Sequence, residues 1–308
     1  MLIYGANLLL KKQLTMKKIT SFVLFAFVTA FLLSYTFKKK ELSLTAPDGY
    51  VSCYAMQTKD MIQADAGKPG FAALHIAPKP FVLENQKGKM ISFKSNDGID
   101  AKGYFLKSQK KSNKWLIVIQ EWWGLNDNIK KEAEMFYSEL DNINVLAVDM
   151  YDGKVAITPD SAMLLMKNAK SERLENIIKA AIAYAGSDAK IYTVGWCFGG
   201  GWSLQASILA GKQAEGCVMY YGRPEKNIDK LKLLHCDVIG FFGNLDQGIS
   251  KEVVNTFEAN MKEAGKNISL YRYEAGHGFA NPSNPVFNKD AAADAHAKAI
   301  QFLKDRIK

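Results

Sequence analysis

The chain has 308 residues, 48% of them hydrophobic, and a formal net charge of +9 at pH 7. A chain of this length and composition can bury one sizeable core and has little room for two full domains. The positive charge does not indicate nucleic-acid binding, because the first 40 residues hold seven lysines and no acidic residue. Only +2 remains for the rest of the chain, so the basicity belongs to the N-terminal segment and not to a binding face.

The N-terminal segment has the form of an export signal. Lys17 and Lys18 precede an uncharged run at 19–37 that is rich in Phe, Leu and Val. This run is also long enough for a membrane anchor, and Met16, directly before the lysines, is an alternative start. We expect residues 1–40 to form a signal peptide or N-terminal membrane anchor. The protein is then exported, either periplasmic or anchored to the membrane and facing outside the cytoplasm.

The predicted elements begin after a segment at 41–88 that lacks sustained periodicity and is expected to be a linker or N-terminal arm. Strands are predicted at 90–94, 100–107, 114–120, 144–149, from 191 onward, and at 217–220, 238–242 and 268–273. Helices are predicted at 127–140, 159–185 (as two helices), 203–210, 250–264 and 290–308. Because strands and helices alternate, we expect one α/β domain at 89–308, with a mostly parallel sheet covered by helices on both faces.

The turn at 195–199 predicts a nucleophile. Gly195 and Gly199 flank Cys197 between a predicted strand and a predicted helix, which is the spacing of the nucleophile elbow of α/β-hydrolases. The residue at the apex has a strained backbone, so its neighbours two positions away must be very small. The start of the next helix favours the negative charge of a thiolate. The alternative is a buried core cysteine in a glycine-rich turn.

Two further residues follow predicted strands in the order of an α/β-hydrolase triad. Asp246 comes after the strand at 238–242, and His277 lies in a glycine turn after the strand at 268–273. Nucleophile, acid and histidine in this order are typical of α/β-hydrolases. Both residues follow the carboxyl ends of strands, where open α/β sheets place their sites.

The four cysteines, at positions 53, 197, 217 and 236, do not have the spacing of a metal site. We therefore expect no metal. Nucleophilic catalysis by Cys197, His277 and Asp246 requires no organic cofactor either. Outside the cytoplasm a reactive thiol needs protection from disulfide exchange and oxidation. We expect burial of Cys197 within its turn to provide that protection.

Three motifs together resemble the dienelactone hydrolase family, and the resemblance covers roughly residues 89–308. The motifs are Gln-Glu-Trp-Trp-Gly-Leu-Asn at 120–126, Gly-Trp-Cys-Phe-Gly-Gly at 195–200 and Gly-His-Gly-Phe-Ala-Asn at 276–281. The resemblance implies an α/β-hydrolase fold and a Cys-His-Asp triad that hydrolyses esters and lactones through an acyl-thioenzyme. It gives the triad roles to Cys197, His277 and Asp246.

The same resemblance implies roles for the residues that end the strand at 114–120. In the family, the glutamate at the position of Glu121 contacts the resting thiol and helps to deliver it as thiolate. The alternative for Glu121 is a solvated carboxylate at a strand end. The backbone N–H groups of Trp122 and Phe198 are expected to form the oxyanion hole.

The chain departs from the family pattern where the substrate binds. The enzyme that names the family binds its anionic dienelactone through arginines, one of them four residues after the catalytic histidine, and here that position is Asn281. Lys154 is a candidate cation near the site or a solvated loop lysine. Dienelactone itself is therefore a doubtful substrate, and we expect another small ester or lactone. The candidate substrate-pocket residues, each equally consistent with a structural role, are Trp123, Tyr151, Lys154, Phe279 and Asn281.

Two other functions are compatible with the sequence. A Gly-x-Cys-x-Gly-Gly turn also resembles that of polyhydroxyalkanoate synthases, which would make the protein an acyltransferase or thioesterase with the same nucleophile. The predicted export signal argues against this, since a coenzyme A substrate is cytoplasmic. The other alternative is a non-catalytic surface binding protein with a hydrolase fold, but no triad residue is missing. The oligomeric state and the natural ester are left open.

Overall fold

The computed structural model describes residues 79–307, so the predictions for 1–40 and for the arm up to residue 78 lie outside the described residues. Its strands are β1 Lys89–Phe93, β2 Ala101–Leu106, β3 Lys114–Ile119, β4 Asn144–Val148, β5 Lys190–Trp196, β6 Ala214–Tyr220, β7 Val238–Gly243 and β8 Ile268–Tyr273. Its helices are α1 Asp127–Glu139, α2 Pro159–Asn168, α3 Ser171–Ala185, α4 Phe198–Ala210, α5 Ile228–Lys232, α6 Lys251–Glu263 and α7 Lys289–Arg306.

In this part of the chain the strands form one eight-stranded sheet in the order β1-β2-β4-β3-β5-β6-β7-β8. The six strands from β4 to β8 in this order are parallel, and β1 and β2 add an antiparallel edge. The crossovers of the parallel strands contain helices, as parallel connections require. The predicted mostly parallel sheet is confirmed.

Both faces of the sheet are buried under helices, which explains why its central strands are almost continuously apolar. In β3, the side chains of Leu116 and Val118 pack into one core cluster, together with residues of α1 and α7. The alternate side chains, Ile117 and Ile119, pack into a second cluster with residues of α3 and α4. The two-residue period of the strand therefore divides the core into two layers.

The structure differs from the sequence prediction around the glycine-rich turn. Helix α4 begins at Phe198, directly after the nucleophile candidate, and not at residue 203. Three consecutive glycines, at 199–201, have low helix propensity and conceal this first turn from a sequence pattern. Strand β6 starts at Ala214, three residues before the prediction, and the short helix α5 was not predicted.

The described end of the N-terminal arm runs along α1. The Leu83 N–H donates to Asp127 Oδ2 at 3.0 Å, and the Lys87 N–H donates to Glu134 Oε1 at 2.7 Å. Between residues 79 and 307, no helix is both long enough and apolar enough to cross a membrane.

Candidate active site

The turn between β5 and α4 places Cys197 in a backbone conformation that its neighbours must accommodate. Cys197 has φ 54° and ψ −117°, in the region that L-residues rarely adopt. A Cβ on Gly195 would lie 2.1 Å from the carbonyl oxygen of Gly199, and a Cβ on Gly199 would lie 2.3 Å from that of Ile119. The predicted need for glycine on both sides of the apex is confirmed.

The thiol of Cys197 lies at the start of α4 and is almost completely buried, with 8% of the residue exposed. The carbonyl of Cys197 accepts hydrogen bonds from the N–H groups of Gly200 and Gly201, which begin the helix. The positive end of the helix dipole therefore lies next to the sulfur atom and favours a thiolate there.

His277 and Asp246 come from the loops after β8 and β7 and meet at this sulfur atom. His277 Nε2 lies 3.1 Å from Cys197 Sγ, and His277 Nδ1–H donates to Asp246 Oδ2 at 2.6 Å. The second carboxylate oxygen of Asp246 accepts the backbone N–H groups of Gly248 at 2.8 Å and Ile249 at 2.9 Å. These bonds fix the carboxylate, and the carboxylate fixes the orientation of the imidazole ring.

The charges of the three residues support one another. Burial works to lower the pKa of His277, but the negative charges of Cys197 and Asp246 outweigh it and hold this pKa well above its ordinary value. Burial also works to raise the pKa of Asp246, yet the charge and hydrogen bond of His277 and two backbone N–H groups bring it below its ordinary value. The histidine therefore binds a proton strongly while the aspartate remains ionised.

Glu121 is buried at the end of β3 and is held by the loop after His277. Asn281 Nδ2 donates to Glu121 Oε2 at 2.7 Å. The other atom of this amide, Asn281 Oδ1, accepts the N–H and the hydroxyl of Ser283 at 2.9 and 2.6 Å, so its NH₂ group must face Glu121. Burial raises the pKa of Glu121 to about 7, although the charge of His277 and the bond from Asn281 oppose the shift.

The predicted oxyanion donors follow the end of β3 and the nucleophile, respectively. Trp122 follows Glu121 at the carboxyl end of β3, and Phe198 is the first residue of α4. Both segments meet behind the nucleophile, since Gly199 approaches the carbonyl oxygens of Ile119 and Gln120 at the end of β3. Their role in binding an oxyanion remains a prediction.

The five candidate pocket residues occupy different environments. Asn281 bonds Glu121 as described, and the buried ring of Tyr151 packs against that of Phe198, with centroids 5.5 Å apart. Phe279 is fully buried between the rings of Tyr221 and Tyr273. The ring of Trp123 is buried 4.9 Å from that of Trp122, and Lys154 is exposed to solvent.

Two residues near the triad were not predicted. Tyr221 has φ 33° directly after β6, and its ring packs edge-on against the imidazole of His277 at 5.2 Å. Arg223 is half-buried nearby, where burial lowers its pKa and the charge of Asp246 opposes that shift. Both follow the carboxyl end of the strand next to β5, and that position is the signal by which they could have been found.

The other described cysteines, Cys217 and Cys236, are free thiols, and Cys53 lies outside the described residues. Among residues 79–307, no cluster of three or more His, Cys, Asp or Glu side chains has the arrangement of a metal site.

Comparison with known protein families identifies the family to which the chain belongs. The model of the dienelactone hydrolase family matches residues 101–307. The chain belongs to this family. It is a dienelactone hydrolase-like ester hydrolase with the α/β-hydrolase fold.

Curated relatives support the assignment over most of their length. The chain is 33% identical over 207 residues to a carboxymethylenebutenolidase of Pseudomonas sp. strain P51, a match that covers 61% of this chain and 83% of the relative. It is 28% identical over 235 residues to Protein usf of Aquifex pyrophilus, covering 71% and 99% of the two chains.

Solved structures show the same fold. The dienelactone hydrolase of Anabaena variabilis superposes with a TM-score of 0.53 at 15% identity, covering 72% of this chain and all of that one. A dienelactone hydrolase-like promiscuous phosphotriesterase from metagenomic libraries gives a TM-score of 0.60 at 18% identity, covering 71% and 99%. At these identities the structures establish the fold and nothing about the substrate.

Proposed function

We propose that this hydrolase cleaves a carboxylic ester or lactone through an acyl-thioenzyme formed on Cys197. The observation that carries the proposal is the continuous contact from Cys197 Sγ to His277 Nε2 at 3.1 Å and from His277 Nδ1 to Asp246 Oδ2 at 2.6 Å. A nucleophile, a base and a carboxylate that orients the base are the parts required for acyl transfer.

In the first half of the reaction, the thiolate of Cys197 attacks the carbonyl carbon and the carbonyl π electrons move to the oxygen. We assign the N–H groups of Trp122 and Phe198 to that oxyanion, and losing one such donor typically lowers the rate about 10²–10³-fold. The oxyanion collapses, the bond to the leaving oxygen breaks, and the His277 imidazolium donates its Nε2 proton to that oxygen. The product is a thioester on Cys197 and a free alcohol.

In the second half, His277 takes a proton from water as the water attacks the thioester. The new oxyanion collapses, the C–S bond breaks and Cys197 leaves as thiolate beside the imidazolium. The free acid departs and the ion pair is restored. Asp246 remains ionised throughout and stabilises the imidazolium.

Glu121 is proposed to help deliver the thiol of Cys197 as the thiolate that attacks the substrate, as its position in the family motif implies. Its carboxyl is held by Asn281 and is close enough to His277 for the two charges to interact. A carboxyl with a pKa of about 7 changes its charge near neutral pH, so a small change in its surroundings decides whether a negative charge stands near the imidazole of His277.

The test is turnover of p-nitrophenyl acetate by the parent and by Cys197→Ala, with Cys236→Ala as the matched control for loss of a free thiol. We expect Cys197→Ala to lose turnover by a factor on the order of 10⁴ or more, and Cys236→Ala to retain it. Equal hydrolysis by the parent and Cys197→Ala would show that the nucleophile is wrong. Transfer of acetate to an added alcohol in preference to water would indicate an acyltransferase.

We propose further that the protein is exported through residues 1–40. The lysine pair and the apolar run that follows it support this, and the small ester or lactone is then met outside the cytoplasm. Expression of the full chain followed by cell fractionation tests the proposal, and recovery of all the protein in the cytoplasmic fraction would refute it.

A further inference from the structure

Tyr151 carries an unused hydrogen-bond donor near the nucleophile elbow. The residue follows β4 at the carboxyl edge of the sheet and is 6% exposed. Its Oη atom is fully buried, and no described residue offers it a hydrogen-bond partner. Buried polar groups in native proteins are almost always paired, so a hydroxyl without a protein partner is expected to bond either an ordered water molecule or a ligand that displaces it.

The phenol lies close to the sulfur atom that reacts. Its ring contacts that of Phe198, the residue after the nucleophile, with the centroids 5.5 Å apart. Burial, and after it the negative charge of Cys197, raise the pKa of Tyr151 well above its ordinary value. The hydroxyl therefore stays protonated and can act as a donor throughout the working pH range.

The backbone around this hydroxyl is held rigidly. The Tyr151 N–H donates to Asp149 Oδ1 at 3.1 Å, and the Tyr151 carbonyl accepts the N–H of Lys154 at 3.2 Å. The guanidinium of Arg173 donates to both carboxylate oxygens of Asp152, at 3.2 and 2.5 Å, and fixes the turn that follows. A donor fixed in this way loses little freedom when a ligand binds, which favours a role in recognition.

We propose that Tyr151 determines the acyl specificity of the enzyme by donating its hydroxyl to a neutral oxygen acceptor, such as an ether, ketone or hydroxyl oxygen, in the acyl part of the substrate. The proposal rests on the proposed ester hydrolysis at Cys197. A neutral oxygen is favoured over a carboxylate because the negative charges of Cys197 and Asp246 outnumber the one positive charge of His277, so the triad carries a net negative charge that repels an added anion. The side chain of Asn281 is a neutral amide that bonds Glu121, so it provides no positive charge that could bind a carboxylate.

The experiment compares three p-nitrophenyl esters: butyrate, methoxyacetate, in which an oxygen replaces a methylene, and hydrogen succinate, which carries a carboxylate. The variant is Tyr151→Phe, and comparing kcat/KM ratios between variant and parent removes the intrinsic reactivity of each ester. Tyr192→Phe is the matched control, because this buried tyrosine donates its hydroxyl to the carbonyl of Arg306 at 2.7 Å. We expect Tyr151→Phe to lower the methoxyacetate-to-butyrate ratio about 10-fold or more, as loss of one buried hydrogen bond does, and Tyr192→Phe to leave the ratio unchanged.

Two kinetic results would overturn the proposal. One is an equal loss on methoxyacetate and butyrate, which would give Tyr151 a structural role only. The other is a selective loss on hydrogen succinate, which would show that the partner is an anion.

Thermal denaturation provides a readout that does not depend on activity. Removing an unpaired buried hydroxyl should leave the Tm unchanged or raise it, whereas Tyr192→Phe should lower it. A Tm of Tyr151→Phe lowered as much as that of Tyr192→Phe would mean that the Tyr151 hydroxyl is already paired within the protein.

Binding separates failure of this proposal from failure of the proposed function. The p-nitroanilides of butyric and methoxyacetic acid have the same acyl groups, and their affinities for Cys197→Ala do not depend on ester turnover. Suppose that Cys197→Ala binds the methoxyacetyl compound more tightly than the butyryl compound, and that adding Tyr151→Phe to this variant abolishes the difference. This result supports the role of Tyr151 even if no ester is hydrolysed. Equal affinities in both proteins would overturn it even if the hydrolysis is confirmed.

Discussion

Glu121→Gln replaces a buried carboxyl by a neutral amide of nearly the same shape, and we expect it to stabilise the protein increasingly as the pH rises. Burial raises the pKa of Glu121 to about 7 from an ordinary value of 4.5. Below the ordinary value the carboxyl is protonated in both the folded and the unfolded protein, so the charge has no effect on stability. Above pH 7 the carboxyl is ionised in both, and burial of its charge destabilises only the folded protein.

The size of the effect follows from the shift. Each unit of pKa corresponds to about 1.4 kcal/mol, so the ionised carboxyl costs the folded protein on the order of 3 kcal/mol. Glutamine avoids this cost and keeps the bond from Asn281, since its side-chain oxygen can accept the same N–H. The free energy of unfolding of Glu121→Gln, minus that of the parent, should therefore rise by about 3 kcal/mol between roughly pH 4 and pH 8.

Urea denaturation of the full chain across this pH range measures the difference directly. Glu84→Gln, which removes one carboxylate from an exposed side chain, controls for the change in net charge. A difference that stays constant with pH, or that falls as the pH rises, would refute the reasoning, because the carboxyl would then not be held in a site that disfavours its charge.

Two other substitutions test the geometry of the triad. Asp246→Asn cannot stabilise the imidazolium of His277, and we expect kcat on p-nitrophenyl acetate to fall about 10³–10⁴-fold with a smaller change in KM; a loss under tenfold would contradict the orienting role. Gly195→Ala would place a Cβ 2.1 Å from the carbonyl oxygen of Gly199. We expect the free energy of unfolding to drop by roughly 4 kcal/mol or more, with activity lost; a variant that melts at the parent's temperature would show that the turn tolerates a side chain.

Much of the site could be predicted because its rules are local. The Gly-x-Cys-x-Gly spacing around Cys197 is visible within five residues, although the close approach at Gly199 is to the end of β3. The order of nucleophile, acid and base places Asp246 and His277 at strand ends that a parallel sheet brings together. The apolar runs of β3 and β5 are equally local signals, since strands buried on both faces lose their alternation.

Contacts between distant parts of the chain could not be predicted. Asn281 and Glu121 are 160 positions apart, and no local sequence pattern shows that the amide of Asn281 holds the carboxyl of Glu121. The contact of Tyr221 with the imidazole of His277 depends on the strand order β5-β6-β7-β8, because His277 must pass the end of β6 to reach Cys197 from the loop after β8. The start of α4 was missed because the glycines required by the turn are also poor helix formers.

The acyl-thioenzyme is the central claim. The most direct test mixes the full-length protein with p-nitrophenyl acetate, stops the reaction rapidly during turnover and analyses the peptides of the protein by mass spectrometry. We predict one acetyl group on the peptide that contains Cys197, present during turnover and lost once the ester is consumed. Release of product with no acetyl group on Cys197, or with the acetyl group on another residue, would contradict the claim.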